Sequence, residues 1–203
     1  MRKIRIPLFL ATLLILAYFC TSCVFLARIP NTEVHIKGPE TGNKIEMTEE
    51  SLDVTDPTLP DVPEGYSLYN DGYVVFVYPA SWAKQDGSVV ILQGDGGNNI
   101  TSAYETKTDY YVNLTAEGFV ADMKPLYESM GLVTSNEAVT QTVNSKGVAI
   151  TNITYDATMS GVPFTQCVYI VNSGDRTYSI TVSIFEEDEA LLSNVFESLT
   201  VLK

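Results

Sequence analysis

The sequence predicts an α+β fold, an antiparallel sheet with flanking helices, preceded by a membrane anchor and a disordered spacer. Three observations carry that reading. Residues 149–159 and 177–184 alternate apolar and polar side chains with a period of two, as half-covered strands do. Residues 119–130 and 191–199 repeat apolar side chains at helical spacing instead. Strand-like and helix-like runs come in blocks rather than in strict alternation, which favours an antiparallel sheet over a parallel one.

The chain begins with Met1-Arg2-Lys3-Ile4-Arg5, followed by an apolar run over residues 6–27 that Arg28 closes. Cations ahead of an uninterrupted apolar segment hold the N-terminus in the cytoplasm and send the following chain outward. Two forms of anchor fit this pattern. Thr21-Ser22-Cys23 resembles the end of a bacterial lipoprotein signal with Cys23 as the lipidated residue, although Cys20 stands where Leu is usual. Alternatively, residues 6–27 form an uncleaved helix about 33 Å long, enough to span a hydrocarbon core of about 30 Å. Lipidation of Cys23 is the favoured form. Both place the protein on the extracytoplasmic face of the cell membrane, and residues 1–29 are read as signal peptide or anchor.

Residues 30–64 carry Glu33, Glu40, Glu46, Glu49, Glu50, Asp53, Asp56, Asp61 and Glu64 against Lys37 and Lys44, with Pro39, Pro57, Pro60 and Pro63 as punctuation. Such a stretch buries too little apolar surface to offset its ordering entropy, so a disordered, self-repelling spacer is expected.

Residues 65–203 are expected to form one domain. A strand over 73–78 is stopped by Pro79, and a second over 88–92 ends in the turn-rich segment 94–99. Residues 99–104 make a weaker third. Thr115 is placed as the N-cap of a helix with Glu117 near its positive end. Phe119, Val120, Met123, Leu126, Tyr127 and Met130 form its apolar stripe, Pro125 should kink it or split off its last turn, and Gly131 ends it. Residues 149–159, 164–172 and 177–184 then read as a meander turned by Gly161 and Ser173-Gly174-Asp175, with the middle strand apolar on both faces and hence central. A last helix begins at Glu186-Glu187-Asp188-Glu189 and buries Leu191, Leu192, Val195, Phe196 and Leu199.

Arg2, Lys3, Arg5 and Arg28 all lie in the leader, so beyond it eight Lys/Arg face 25 Asp/Glu, a net charge of −17. That surface repels nucleic-acid phosphates and excludes nucleic-acid binding. The partners expected are the membrane, through the anchor, and a cell-envelope protein or glycan. Cys167 is the one cysteine beyond the leader, so no disulfide framework exists there and a buried apolar role is expected for it.

Val75-Phe76-Val77-Tyr78-Pro79 with Trp82 shortly after, the helix following Asn113-Leu114-Thr115, and Tyr178-Ser179-Ile180-Thr181-Val182 leading into a final helix with Phe196-Glu197-Ser198-Leu199 together resemble the PsbP-like superfamily. That superfamily is named after an extrinsic photosystem II subunit and includes bacterial lipoproteins. The resemblance covers residues 65–203 and rests on layout and hydrophobic punctuation. It implies an antiparallel sheet with flanking helices and transfers no catalytic signature.

Chemistry is sparse in the residues themselves. His35, the single histidine, lies in the spacer, which excludes Ser-His-Asp, Cys-His and His-zinc arrangements within the domain. Gly94-Asp95-Gly96-Gly97 lacks the spacing of a nucleotide fingerprint. A calcium site on Asp95, Asn98 and Asn99 is the rival of a plain hairpin turn there, and the turn is preferred. Carboxylates Asp71, Asp86, Glu105, Asp109 and Asp156 leave a carboxylate-dependent cell-envelope hydrolase as the alternative function. No cofactor, metal ligand set or catalytic residue is assigned. Trp82 is expected to plug the first hairpin. A partner surface is expected on Tyr104, Tyr110 and Tyr111 and on the Thr177, Ser179 and Thr181 face of the last long strand, where a period of two predicts a polar, lightly covered side.

Overall fold

The computed structural model describes residues 59–94, 96–186 and 188–203. The anchor with Cys23 and most of the spacer lie outside the described residues. Among these, ten strands and two helices follow the order β1 (Tyr66–Asn70), β2 (Val74–Pro79), β3 (Ala83–Gln85), β4 (Val90–Gln93), β5 (Asn99–Thr106), α1 (Ala116–Ser129), β6 (Leu132–Val143), β7 (Ala149–Met159), β8 (Val162–Ser173), β9 (Arg176–Ile184), α2 (Glu189–Ser198) and β10 (Thr200–Val201). The fold is α+β, dominated by antiparallel sheet.

Seven strands form one sheet in the order β3-β4-β5-β9-β8-β7-β6, and three form a second in the order β1-β2-β10. The expected meander is β7-β8-β9, paired antiparallel in sequence order. β8 is interior to the sheet because both of its faces are apolar. Cys167, Tyr169 and Val171 join one core, while Phe164, Val168 and Ile170 join another on the opposite side. The helices therefore cover opposite faces. Leu191 and Val195 of α2 and Leu199, which caps it, pack, together with Val74 and Phe76 of the small sheet, on Tyr178, Ile180 and Val182. Phe119, Met123 and Tyr127 of α1 pack on Ile153, Tyr155, Val168 and Ile170.

The ends of α1 follow local chemistry. Thr115 Oγ1 accepts a hydrogen bond from Gly118 N at 3.1 Å, Glu117 sits in the first turn, and Gly131 leaves the helix at φ +73°. Pro125 does not split off the last turn: the helix runs through it to Ser129. At α2, Asp188 Oδ1 accepts from Leu191 N at 2.9 Å.

β6 is the long strand that periodicity does not reveal. Its polar residues Thr134, Ser135, Asn136, Glu137, Thr140, Gln141 and Thr142 outnumber its apolar ones, because it is the sheet's edge. A register shift between Ser135 and Ala138, with Asn136 at φ +56°, breaks the alternation further. β3 and β10 are too short to carry a period.

The expected polar outer face holds for one strand and fails for another. On β7, Asn152, Thr154, Asp156 and Thr158 are half-buried, next to the edge. On β9, Thr177, Ser179 and Thr181 retain 2%, 3% and 3% of their accessible surface. The cause is position. Thr181 sits opposite Val168 and Ser179 opposite Ile170, so they share the face of the core that α1 covers. The expectation of an accessible Thr/Ser face on β9 is thereby corrected.

Candidate functional site

Of the aromatic residues expected on the surface, Tyr104 is 45% exposed and Tyr110 43%, whereas Tyr111 is buried. Tyr111 belongs to the α1 core, and its hydroxyl donates to Glu105 Oε1 at 3.2 Å; burial first, then Glu105, raises its pKa. Tyr110 stands edge-on to Tyr111 with centroids 4.9 Å apart, and its hydroxyl donates to Asp122 of α1. Thr177 is a structural hydroxyl. It accepts from Thr108 N at 2.9 Å and donates to Asn172 Oδ1 at 2.6 Å, stapling the loop after β5 to the start of β9. Of the six residues expected to form one partner surface, the structure exposes Tyr104 and Tyr110.

Tyr104 leads to an assembly that the sequence reading does not single out. It lies opposite Tyr178 in the β5-β9 pair, and Arg176 precedes Tyr178 by two residues on the same strand face. The Arg176 guanidinium carbon lies 3.8 Å from the Tyr73 ring centroid and 4.0 Å from that of Tyr104, so aromatic rings cover it twice. Its Nη1 donates to Tyr178 Oη at 3.1 Å, and Tyr178 donates to Asp71 Oδ2 at 2.7 Å. The bond from Arg176 to Tyr178 raises the guanidinium pKa above even its ordinary range, while burial first and the Asp71 bond second raise that of the Tyr178 phenol. Lys203 Nζ approaches the Tyr73 ring to 3.9 Å.

Turn chemistry builds the support. Asp71 Oδ1 accepts from Tyr73 N at 2.9 Å and Val74 N at 3.0 Å, and Gly72 supplies a φ of +82° between them. The Tyr73 carbonyl accepts from Leu202 N at 2.9 Å and from Ser173 Oγ at 2.7 Å. Each cation–π contact at a partly exposed site is worth about 0.5–1 kcal/mol, and immobilising an arginine costs about 2 kcal/mol of rotamer entropy. The two nearly cancel. The stack thus adds little stability; its effect is to fix where the guanidinium lies.

Beside this assembly, at the same end of the sheet, lies an open cleft of about 490 Å³ bounded by Thr108, Tyr111, Gln141, Lys146, Thr151 and Asn172 among others. Gln141 Nε2 and Thr151 Oγ1 both donate to the Tyr111 carbonyl, at 3.1 and 3.2 Å, which closes its floor. A second hollow of about 530 Å³ opens between α2 and the polar side of β6 and β7.

The candidate carboxylates are dispersed. Asp71 is committed as above, Glu105 to Tyr111, and Asp156 accepts from Asn136 Nδ2 at 2.7 Å and Thr165 Oγ1 at 2.9 Å. Those two bonds, Asn136 first, hold Asp156 below its ordinary range. Among the described residues no group of three His, Cys, Asp or Glu gathers as metal ligands. Asn98 is occupied by the fold, accepting from Phe185 N and Glu186 N at 2.7 and 3.0 Å; Asp95 lies outside the described residues. Cys167 is buried, and desolvation pushes its thiol up to about 11. Trp82 is half-buried against the α2 core.

A further polar feature lies on the interior face. Tyr127 donates to Tyr155 at 3.2 Å, Tyr155 donates to Gln166 Oε1, and Gln166 Nε2 donates to Ser183 Oγ at 2.9 Å, all buried. On the same face Thr101 Oγ1, Ser179 Oγ and Thr181 Oγ1 are buried with no hydrogen-bond partner among the described residues. One sequence signal could have pointed to Arg176: it is the single arginine beyond the leader, in a strongly acidic chain, next to a Gly-Asp turn.

No protein-family model matches this chain, and no curated protein matches it. Among solved structures it is similar to a protein from Bacteroides thetaiotaomicron at 12% identity and a TM-score of 0.45, covering 68% of this chain and 49% of the other. It thus spans about half the length of that protein. It is also similar to a protein of unknown function from Pseudomonas aeruginosa at 16% identity and a TM-score of 0.32, covering 63% of this chain and 86% of the other. At these values neither likeness bears on function.

Proposed function

We propose that the protein is a non-catalytic binding module, tethered by its N-terminal segment to the extracytoplasmic face of a membrane, which offers the Tyr104 and Arg176 end of its sheet to a cell-envelope partner. The observation that carries this is the fixed Arg176 guanidinium between Tyr73 and Tyr104, with the Tyr104 ring nearly half exposed beside it. Exposed aromatics and arginine are the residue types that dominate binding energy at interfaces. The cationic leader, the apolar run and Cys23 support the tether, and the acidic spacer supports display of the domain away from the bilayer. The PsbP-like resemblance belongs to the same reading: its carrier residues occupy β2, the start of α1, β9 and α2.

Photo-crosslinking from residue 110 on intact cells, with the full chain in place, tests the binding reading. Capture of an envelope component from residue 110, and none from residue 162, exposed at the end of β8 opposite the Ser173–Arg176 pair, is expected. Turnover of glycan or ester substrates by the purified full chain would replace it with the hydrolase alternative. Labelling with a palmitate analogue tests the anchor. Label on the wild type that disappears in Cys23→Ala is expected for lipidation, whereas membrane association without label points to an uncleaved helix.

A further inference from the structure

We propose that Arg176 is the receptor for one carboxylate or phosphate group of an anionic glycan. This inference rests on the reading of the protein as a binding module and names its ligand chemistry.

A guanidinium carries five N–H donors in one plane. The Tyr73 and Tyr104 rings lie over the Arg176 guanidinium, and Tyr178 is its single hydrogen-bond acceptor among the described residues, which leaves N–H groups along its edge without one. Such an edge matches the spacing of two oxygens on a carboxylate or phosphate. In a chain with so many Asp and Glu, an ion pair within the protein would be the ordinary fate of the domain's single arginine. Among the described residues Arg176 has none; the ion pair found there joins Lys84 and Asp86. Asp71, the carboxylate nearest through Tyr178, is already taken by Tyr178 and two turn amides. Lys203 against the same Tyr73 ring adds a second positive charge.

Two features select a glycan. Tyr104, nearly half exposed, sets an aromatic ring beside the charge, on which a pyranose can stack. The net negative charge of the rest of the chain repels densely charged polymers and tolerates a ligand whose acidic groups are sparse.

The test is calorimetric titration of the full chain in detergent micelles with a neutral oligosaccharide carrying one terminal glucuronate, with its methyl ester, and with the same oligosaccharide carrying one phosphate. The acid or the phosphorylated oligosaccharide is expected to bind roughly tenfold or more tightly than the neutral ester, since a hydrogen bond to a charged group is worth about 1.5–3 kcal/mol. Which of the two binds identifies the source of the anion. Arg176→Gln should lose that preference, and Arg176→Lys, which keeps the charge without the planar edge, should fall between. Should Arg176→Gln fail to fold, as judged by thermal melting, the acid-against-ester comparison on the wild type decides alone. Equal binding of acid and ester, binding of neither anion, or full affinity in a folded Arg176→Gln would overturn the inference. Loss of anion binding with crosslinked capture from residue 110 retained overturns this inference alone; loss of the capture as well overturns the binding reading beneath it.

Discussion

Replacing Thr181 by Val should stabilise the protein, while the same change at Thr177, on the same strand and the same face, should destabilise it. The two side chains are almost equally buried, at 3% and 2% exposure, so area burial cannot tell them apart. Their hydroxyls differ. Thr177 accepts from Thr108 N and donates to Asn172 Oδ1, whereas Thr181 Oγ1 has no partner among the described residues. A buried hydroxyl without a partner carries a desolvation penalty of about 1–3 kcal/mol, and valine keeps its shape and its fitness for a strand. Thr181→Val should therefore gain about 1 kcal/mol, and Thr177→Val should lose about as much by stranding two groups. With a urea slope of about 2 kcal/mol per molar, each change moves the unfolding midpoint by about 0.5 M, in opposite directions. Urea titration of the full chain by circular dichroism reads both, and the slopes should be unchanged. If Thr181→Val falls as far as Thr177→Val, the reasoning is refuted, and the Thr181 hydroxyl has a partner in solution such as a bound water or an occupant of that face.

Three further outcomes follow from other contacts. Tyr155→Phe removes the donor on which Gln166 Oε1 depends and the acceptor of Tyr127, and it should cost about 1–3 kcal/mol in the same titration. Gly94→Ala would place a methyl 2.5 Å from Trp82 Nε1, so the indole must move; Trp82 is the single tryptophan, and its fluorescence should shift to the red as it loses its half-buried seat. Asp156 has a folded-state pKa depressed by Asn136 and Thr165, so its contribution is present above its ordinary value of 3.8 and is lost as pH falls through the lower folded value. Asp156→Asn should accordingly narrow the stability difference between neutral and acid pH, by a small amount because the half-buried carboxylate is still screened by solvent, as read by urea midpoints across that range.

The legible parts of this fold are those where one physical rule dominates. β7, β8 and β9 announce themselves because long strands near the sheet's centre must satisfy a period of two or be apolar throughout. α1 is legible because Thr115 and Gly131 mark its ends as its stripe marks its face. β6 hides because an edge strand needs few apolar side chains and a bulge resets its phase. The face of β9 misleads for a related reason: its serines and threonines fit an outer surface as well as an interior one, and strand order alone decides between them. The site was half legible. Tyr104 stood out as an aromatic in a polar setting, but its partners Tyr73 and Arg176 lie 31 residues before it and 72 after, and only the sheet pairing and the β1-β2 turn bring them together.

β2 lies between β1 and β10, with Val75 opposite Thr200, a pairing across some 125 residues of chain. A ribosome or an export channel releases residues 74–77 long before their second neighbour exists. Until then Val74 and Phe76, fully buried in the finished molecule, have no α2 core to enter, since Leu191, Val195 and Leu199 arrive just ahead of β10. Closing that distance early is entropically unfavourable, so assembly of this side of the sheet comes late and at the mercy of aggregation. The α1 side has no such delay, because helix, β6, β7 and β8 are consecutive. The two faces of one sheet are thus set to mature at different times, and the Tyr73 stack, clasped by residues 202 and 203, is completed with the last of them.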